Sequence, residues 1–132
     1  MSFTLFFDGC SKGNPGVAGC GAVIYNSDGA EIWSIAKFVG DKCTNNYAEY
    51  MGLICGLEEA YNRQIGDLLV KGDSQLVIRQ MKGEYKVKSD NLFDIYNKAS
   101  TLSKNFGKIQ FQHVYRNDNK RADLLSNLAL NN

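Results

Sequence analysis

The chain has one proline, Pro15, one histidine, His113, and one tryptophan, Trp33. A lone histidine cannot complete a histidine-rich zinc cage, and Cys10, Cys20, Cys43 and Cys55 show no C-x-x-C spacing. Those cysteines read as small, reduced, packed side chains. No apolar run approaches the ~18 residues that a membrane helix needs, and no charged leader precedes a small-residue cleavage site. The expectation is a cytoplasmic protein without a membrane partner. Charge of one sign is also lacking: 15 Lys and Arg face 14 Asp and Glu, for a net charge of +1. A polyanionic partner would therefore have to be held by a local basic surface, with moderate, salt-sensitive affinity. Repeats, low-complexity segments and linkers are absent as well, which leaves residues 1–132 as one domain and, by expectation, a monomer.

What is present is an alternation of short apolar runs and helical periodicities. Phe3 to Phe7 is an unbroken apolar run that reads as a strand covered on both faces and ending at Asp8. Gly9 to Gly21, which contains Asn14-Pro15-Gly16, reads as a loop in which proline fixes one turn torsion and glycine supplies a positive φ. It lacks the Gly-Lys-Ser/Thr of a phosphate loop and the spacing of a dinucleotide fingerprint. Ala22 to Tyr25 and Glu31 to Phe38 read as strands joined by a tight turn at Ser27-Asp28-Gly29. A helix is expected from about Asn46 to Tyr61, with Glu49 on a stripe above Gly52, Leu53, Gly56 and Ala60. Leu68 to Val70 is a further strand, followed by a helix Gln75 to Met81. Asp90 or Asn91 can cap the next helix, which ends at Phe106-Gly107. Ile109 to Tyr115 is the last strand, and Asn119 starts a helix through Leu130. This order implies an α/β fold, a five-stranded mixed sheet with helices on both faces.

Asp8, Glu49, Asp73 and Asp123 fall where apolar segments give way to polar ones. An acid at the end of a buried strand is costly unless its charge is stabilised, and acids from separate segments could share a site around bound cations. Taken singly, each has a plainer reading. Asp73 could cap a helix, and Glu49 and Asp123 could be solvated first-turn acids favoured by the helix dipole.

The words around the acids decide between these readings. Asp8-Gly9-Cys10-Ser11-Lys12-Gly13-Asn14-Pro15-Gly16, Thr44-Asn45-Asn46-Tyr47-Ala48-Glu49-Tyr50, Gly72-Asp73-Ser74-Gln75-Leu76-Val77 and Asn119-Lys120-Arg121-Ala122-Asp123 together resemble the type 1 ribonuclease H family, in order and spacing, over essentially the whole chain. The resemblance implies a ribonuclease H-like fold and sequence-independent hydrolysis of the RNA strand of an RNA/DNA hybrid. It makes Asp8, Glu49, Asp73 and Asp123 both the catalytic residues and the metal ligands. Two Mg2+ ions are implied, with Mn2+ as a substitute; oxygen-only ligands suit such hard cations. The resemblance puts Asn14, Asn45 and Gln75 beside the minor groove, with backbone amides around Cys10 nearby and Glu49 touching a 2′-hydroxyl. It matches Thr44 and Ser89 to a pocket for a DNA-strand phosphate. Lys82, Lys86 and Lys88 either line the same groove or form a solvated charged loop.

The chain departs from the family pattern in three places. Many members carry a histidine in a flexible loop before the last aspartate. Here His113 alternates with Ile109, Phe111 and Tyr115 on one face of the last expected strand and reads as structural. The short segment Arg116-Asn117-Asp118 resembles the branch without that histidine, and Arg116 is the candidate auxiliary residue. Gly83 to Ser89 is too short for the basic helix of some members, and no separate hybrid-binding domain is expected before Asp8. The alternatives are a hybrid-binding module that has lost catalysis, another nuclease or strand-transfer enzyme of the same architecture, and a domain from a reverse-transcriptase-like system.

Overall fold

The computed structural model describes residues 2–131. Its strands are β1 (Phe3–Gly13), β2 (Gly16–Tyr25), β3 (Glu31–Cys43), β4 (Asp67–Gly72) and β5 (Lys108–His113). Its helices are α1 (Asn45–Asn62), α2 (Gln75–Met81), α3 (Asp90–Ser103) and α4 (Lys120–Leu128), with short 3-10 turns at Arg116–Asp118 and Ala129–Asn131. The sheet order is β3-β2-β1-β4-β5. β1 pairs antiparallel with β2 and parallel with β4, so the sheet is mixed as expected, with β1 at its centre.

The segment Gly9 to Gly21 is not a loop. β1 runs on to Gly13 and returns as β2 from Gly16, with only Asn14 and Pro15 between them. Gly13 and Gly16 flank the tight turn, but Gly9, Gly19 and Gly21 are places where helices press against the sheet. A β-carbon on Gly21, for example, would lie 2.6 Å from the Ala122 carbonyl oxygen and 2.6 Å from the Leu125 β-carbon of α4. Asp8 accordingly sits within β1 rather than at its tip. It is, however, the first residue past the parallel pairing with β4, whose last partners are Phe7 and Gly72.

The main core lies between the sheet and α1. Leu5, Phe7, Ile24, Tyr50, Leu53, Leu57 and Val70 are fully buried there, and α2 and α3 extend it with Val77, Ile78, Leu92 and Ile95. Burying each large apolar side chain contributes about 1.5–3 kcal/mol, which fixes the helix layer against the strands. α4 covers the opposite face, where Ala122, Leu125 and Ala129 meet the thin surface around Gly19 and Gly21. Helices on both faces thus bring their N-terminal ends toward the same edge of β1.

Candidate active site

Three elements deliver the acids. β1 supplies Asp8, and α1 supplies Glu49 from its second turn, because that helix starts at Asn45 under a Thr44 cap whose hydroxyl accepts from the Tyr47 amide at 3.1 Å. Glu49 is therefore not a first-turn acid. Asp73 follows β4 directly, and its plainer reading as a helix cap fails because Ser74 fills that role, accepting from the Val77 amide at 3.2 Å. Asp73 is left to face the cleft. Asp123 lies in the first turn of α4.

Close approach of β1 and α1 makes the cluster. Gly9 stands under α1, where a β-carbon would lie 2.2 Å from the Ala48 carbonyl carbon and 2.3 Å from the Glu49 nitrogen. With no side chain at that point, Glu49 reaches Asp8. Asp8, Glu49 and Asp73 each offer a carboxylate oxygen lying within 4.8 Å of the other two. Asp123 is not one of this triangle, but its carboxyl lies beside that of Asp8 and helps to raise the Asp8 pKa. It lines the same cleft and is braced by Asn127, whose Nδ2 donates to the Asp123 backbone oxygen at 2.9 Å and to Oδ1 at 3.3 Å.

The electrostatics are those of crowded, dehydrated carboxylates. Burial first, and Asp73 second, push Asp8 up to about 7. Burial, followed by Asp8 and then Asp73, holds Glu49 well above the ordinary glutamate range. Asp73 is raised by burial, opposed by the Asn119 amide beside it. The Gly9 backbone amide favours the charged forms of both Asp8 and Glu49, but it is outweighed. One further fact bears on a metal: Glu49 Oε1 is buried with no hydrogen-bond partner. Leaving a buried acceptor unpaired costs about 1–3 kcal/mol, so an unpartnered oxygen on a carboxylate of this cluster fits a site meant to receive a cation. The donor set is entirely oxygen, as Mg2+ or Mn2+ requires.

The other walls of the cleft are Gly9, Cys10, Asn45, His113, Tyr115 and Arg116. His113 ends β5, with Nε2 at 3.2 Å from the Asp73 carbonyl oxygen and its ring edge-on to Tyr115 at 5.4 Å. It ties β5 to the segment that carries Asp73. β5 stops there, and Tyr115 is 75% exposed, so the expected strand ends two residues early.

Comparison with known proteins completes the picture. A family model described as reverse transcriptase-like matches residues 6–129. The crystal structure of ribonuclease H1 from Halobacterium salinarum superposes with a TM-score of 0.94 at 37% identity, covering 99% of this chain and 98% of that one. The chain belongs to the ribonuclease H family. LC11 ribonuclease H1, solved in complex with an RNA/DNA hybrid, is similar at a TM-score of 0.90 and 34% identity, covering 98% of this chain and 97% of that one. A bifunctional protein of Mycobacterium tuberculosis is 40% identical over 130 residues, 98% of this chain. The chain spans 36% of that relative's length.

Of the residues expected at the substrate surface, Cys10 and Asn45 line this cleft, whereas Asn14, Gln75, Thr44 and Ser89 are not among its walls. Asn45 lines it, and the Asn14 side chain supports Asn45 by accepting from its backbone amide at 3.0 Å. Asn14 therefore braces the start of α1 from the β1–β2 turn. Cys10 lines the cleft from within a strand, with its thiol turned to the Ser126 carbonyl oxygen of α4 at 3.4 Å. Gln75 is the exposed first residue of α2 and is not among the cleft walls. Thr44 borders a separate hollow with Lys42, Tyr47 and Asn91. Ser89, not Asp90 or Asn91, occupies the cap position of α3, and its hydroxyl makes no capping bond. Lys82, Lys86 and Lys88 are exposed on the irregular segment between α2 and α3. All four cysteines are free thiols. Among the described residues, no helix is long and apolar enough to cross a membrane.

Tyr115 and Asn119 depart from what local sequence pattern suggests. Tyr115, highly exposed on the cleft wall, looked like a strand residue. Asn119 looked like an ordinary cap, but it is 1% exposed and donates from Nδ2 to the Phe7 carbonyl oxygen at 3.0 Å. Its place in the word Asn119-Lys120-Arg121-Ala122-Asp123 was the available signal.

Proposed function

We propose that the chain hydrolyses the RNA strand of RNA/DNA hybrids without regard to sequence, by a two-metal mechanism. The carrying observation is the triangle of Asp8, Glu49 and Asp73, with oxygens within 4.8 Å of one another and Glu49 Oε1 buried without a partner. Asp8, Glu49 and Asp73, with Asp123 beside Asp8, would hold the cations. Divalent ions held by these carboxylates would supply an activated water and charge relief on the leaving oxygen of a phosphodiester.

The chain's own residues do the rest. The Gly9 amide and the walls of β1 and α1 hold Asp8 and Glu49 in fixed mutual positions, so little rearrangement remains when substrate arrives. Asn45, braced by Asn14, presents a side-chain amide at the cleft wall, where it can both donate to and accept from a ribose 2′-hydroxyl. Gln75, exposed at the start of α2, takes the same role in this reading. Backbone amides around Cys10, and Glu49 itself, complete the RNA-strand contacts. Thr44 and Ser89 bind a phosphate of the DNA strand, which carries no base information. Arg116 lines the cleft as the auxiliary group. A guanidinium stays charged at working pH, so its part is electrostatic support of the scissile phosphate and not proton shuttling.

The complex of LC11 ribonuclease H1 with an RNA/DNA hybrid supports the choice of substrate. A monomer acting in the cytoplasm belongs to the same reading. Incubation with a labelled hybrid, beside single-stranded RNA and duplex DNA, tests it: metal-dependent loss of only the hybrid's RNA strand is the expected result.

A further inference from the structure

Asn119 occupies the cap position of α4, yet its side chain makes no capping bond to that helix. An asparagine cap ordinarily stabilises its helix by accepting from a first-turn amide. Here that contribution is forgone and the side chain turns inward. Nδ2 donates to the carbonyl of Phe7, the residue before Asp8, at 3.0 Å. The same amide lies against the Asp73 carboxylate. The Asn119 backbone carbonyl accepts from the Asp123 amide at 3.0 Å. Oδ1 is meanwhile buried with no partner. A residue that gives up a cap and carries an orphaned acceptor is poorly explained by stability alone, and such groups call for another role.

We propose that Asn119 is the positioning residue of the cleft, a single buried amide that holds β1, the end of β4 and the start of α4 in register so that Asp8, Asp73 and Asp123 converge. An amide suits this place because it has two N–H donors, one for a neutral carbonyl and one for a carboxylate. An aspartate there would offer no donor and would add a negative charge to the cluster. Asn119 touches no substrate in this role; it acts through the acids. The inference rests on the metal-dependent reading above.

The test is Mn2+ binding to the substrate-free chain, measured by titration calorimetry, with steady-state cleavage of a hybrid as a second readout. Asn119→Ala should bind Mn2+ about 10–100-fold more weakly, as loss of a group that orients metal ligands typically does. Its kcat should fall while KM for the hybrid holds. Gln80→Ala is the control, because Gln80 is also a buried amide, 3% exposed and bonded to the Tyr50 hydroxyl at 2.5 Å, but it lies outside the cleft. It should lower the melting temperature without changing Mn2+ affinity. Should Asn119→Ala not fold, Asn119→Ser is measured instead; its single hydroxyl cannot serve both partners, so weakened Mn2+ binding is again expected. Unchanged Mn2+ affinity in the folded Asn119 variant overturns this inference alone, as does equal weakening in Gln80→Ala. Failure of the unmodified chain to bind Mn2+ overturns the metal-dependent reading and this inference with it.

Discussion

Gly9 of β1 and Ala48 of α1 approach so closely that a β-carbon on the glycine would lie 2.2 Å from the Ala48 carbonyl carbon. The obstacle is backbone, so no rotamer change can relieve it. Gly9→Ala should therefore push α1 off β1. Overpacking alone costs about 1–3 kcal/mol, and a backbone clash lies at or above the top of that range. Separation of Glu49 from Asp8 should also weaken Mg2+ binding. Thermal unfolding and calorimetry of the variant check both effects, and retention of wild-type stability would show that the contact is looser than the structure has it.

Asp73→Asn replaces an anionic oxygen ligand with a neutral amide while leaving side-chain volume nearly unchanged. Metal-dependent cleavage should fall by about two orders of magnitude or more, with hybrid binding kept. Metal-free stability should hold or rise, because Asp73 adds repulsion to both Asp8 and Glu49. Cleavage within a few-fold of wild type would remove Asp73 from the site.

The carboxylate cluster also sets a pH dependence. Asp8 rises from an ordinary value of 3.8 to about 7 on folding, chiefly through burial, and Glu49 shifts in the same direction. The folded state therefore holds more protons than the unfolded state in that window. This contribution to stability is complete below the unfolded value and is lost as pH rises through the folded one. The metal-free chain should melt at lower temperature at about pH 8 than at about pH 5. Added Mg2+ should restore the difference at the higher pH and do little at the lower, where protons occupy the ligand oxygens. Differential scanning calorimetry with and without Mg2+ checks this; a metal-free melting temperature that rises across the same range would contradict it.

His113 joins β5 to the Asp73 carbonyl through Nε2. His113→Ala should cost about 1 kcal/mol of stability, the worth of one part-buried hydrogen bond, and reduce turnover only a few-fold. Arg116→Ala should behave in the opposite way: Arg116 is exposed, so stability should hold while kcat falls about tenfold or more. Parallel melting and kinetic measurements separate the two. A sharp loss of turnover in His113→Ala at unchanged melting temperature would reverse their roles.

Much of this was legible in the chain itself, for identifiable reasons. The run Phe3 to Phe7, the Asp28-Gly29 turn and the helical spacing around Tyr50, Ile54 and Leu57 are local signals, and they correspond to β1, the β2–β3 turn and α1. The acids were legible through the words that surround them. In the stretch Gly9 to Gly21 the turn at Asn14-Pro15 with a positive-φ glycine is present, but the rest is strand, because Gly9, Gly19 and Gly21 thin a hairpin so that α1 and α4 can approach it. Asn119 was read correctly as a helix start, but its inward turn depends on the Phe7 carbonyl, more than a hundred residues earlier in the chain. Convergence is implied by the family words but not by local pattern, because it follows from the parallel pairing that sets Phe7 beside Gly72 and so brings Asp8 next to Asp73.

Cleavage of a labelled RNA/DNA hybrid by the purified chain, with and without Mg2+, reports most directly on the site. Mg2+-dependent loss of the RNA strand, with single-stranded RNA and duplex DNA left intact, is the predicted result. Retained hybrid binding with no cleavage in Mg2+ or Mn2+ would contradict it and mark the chain as a binding module.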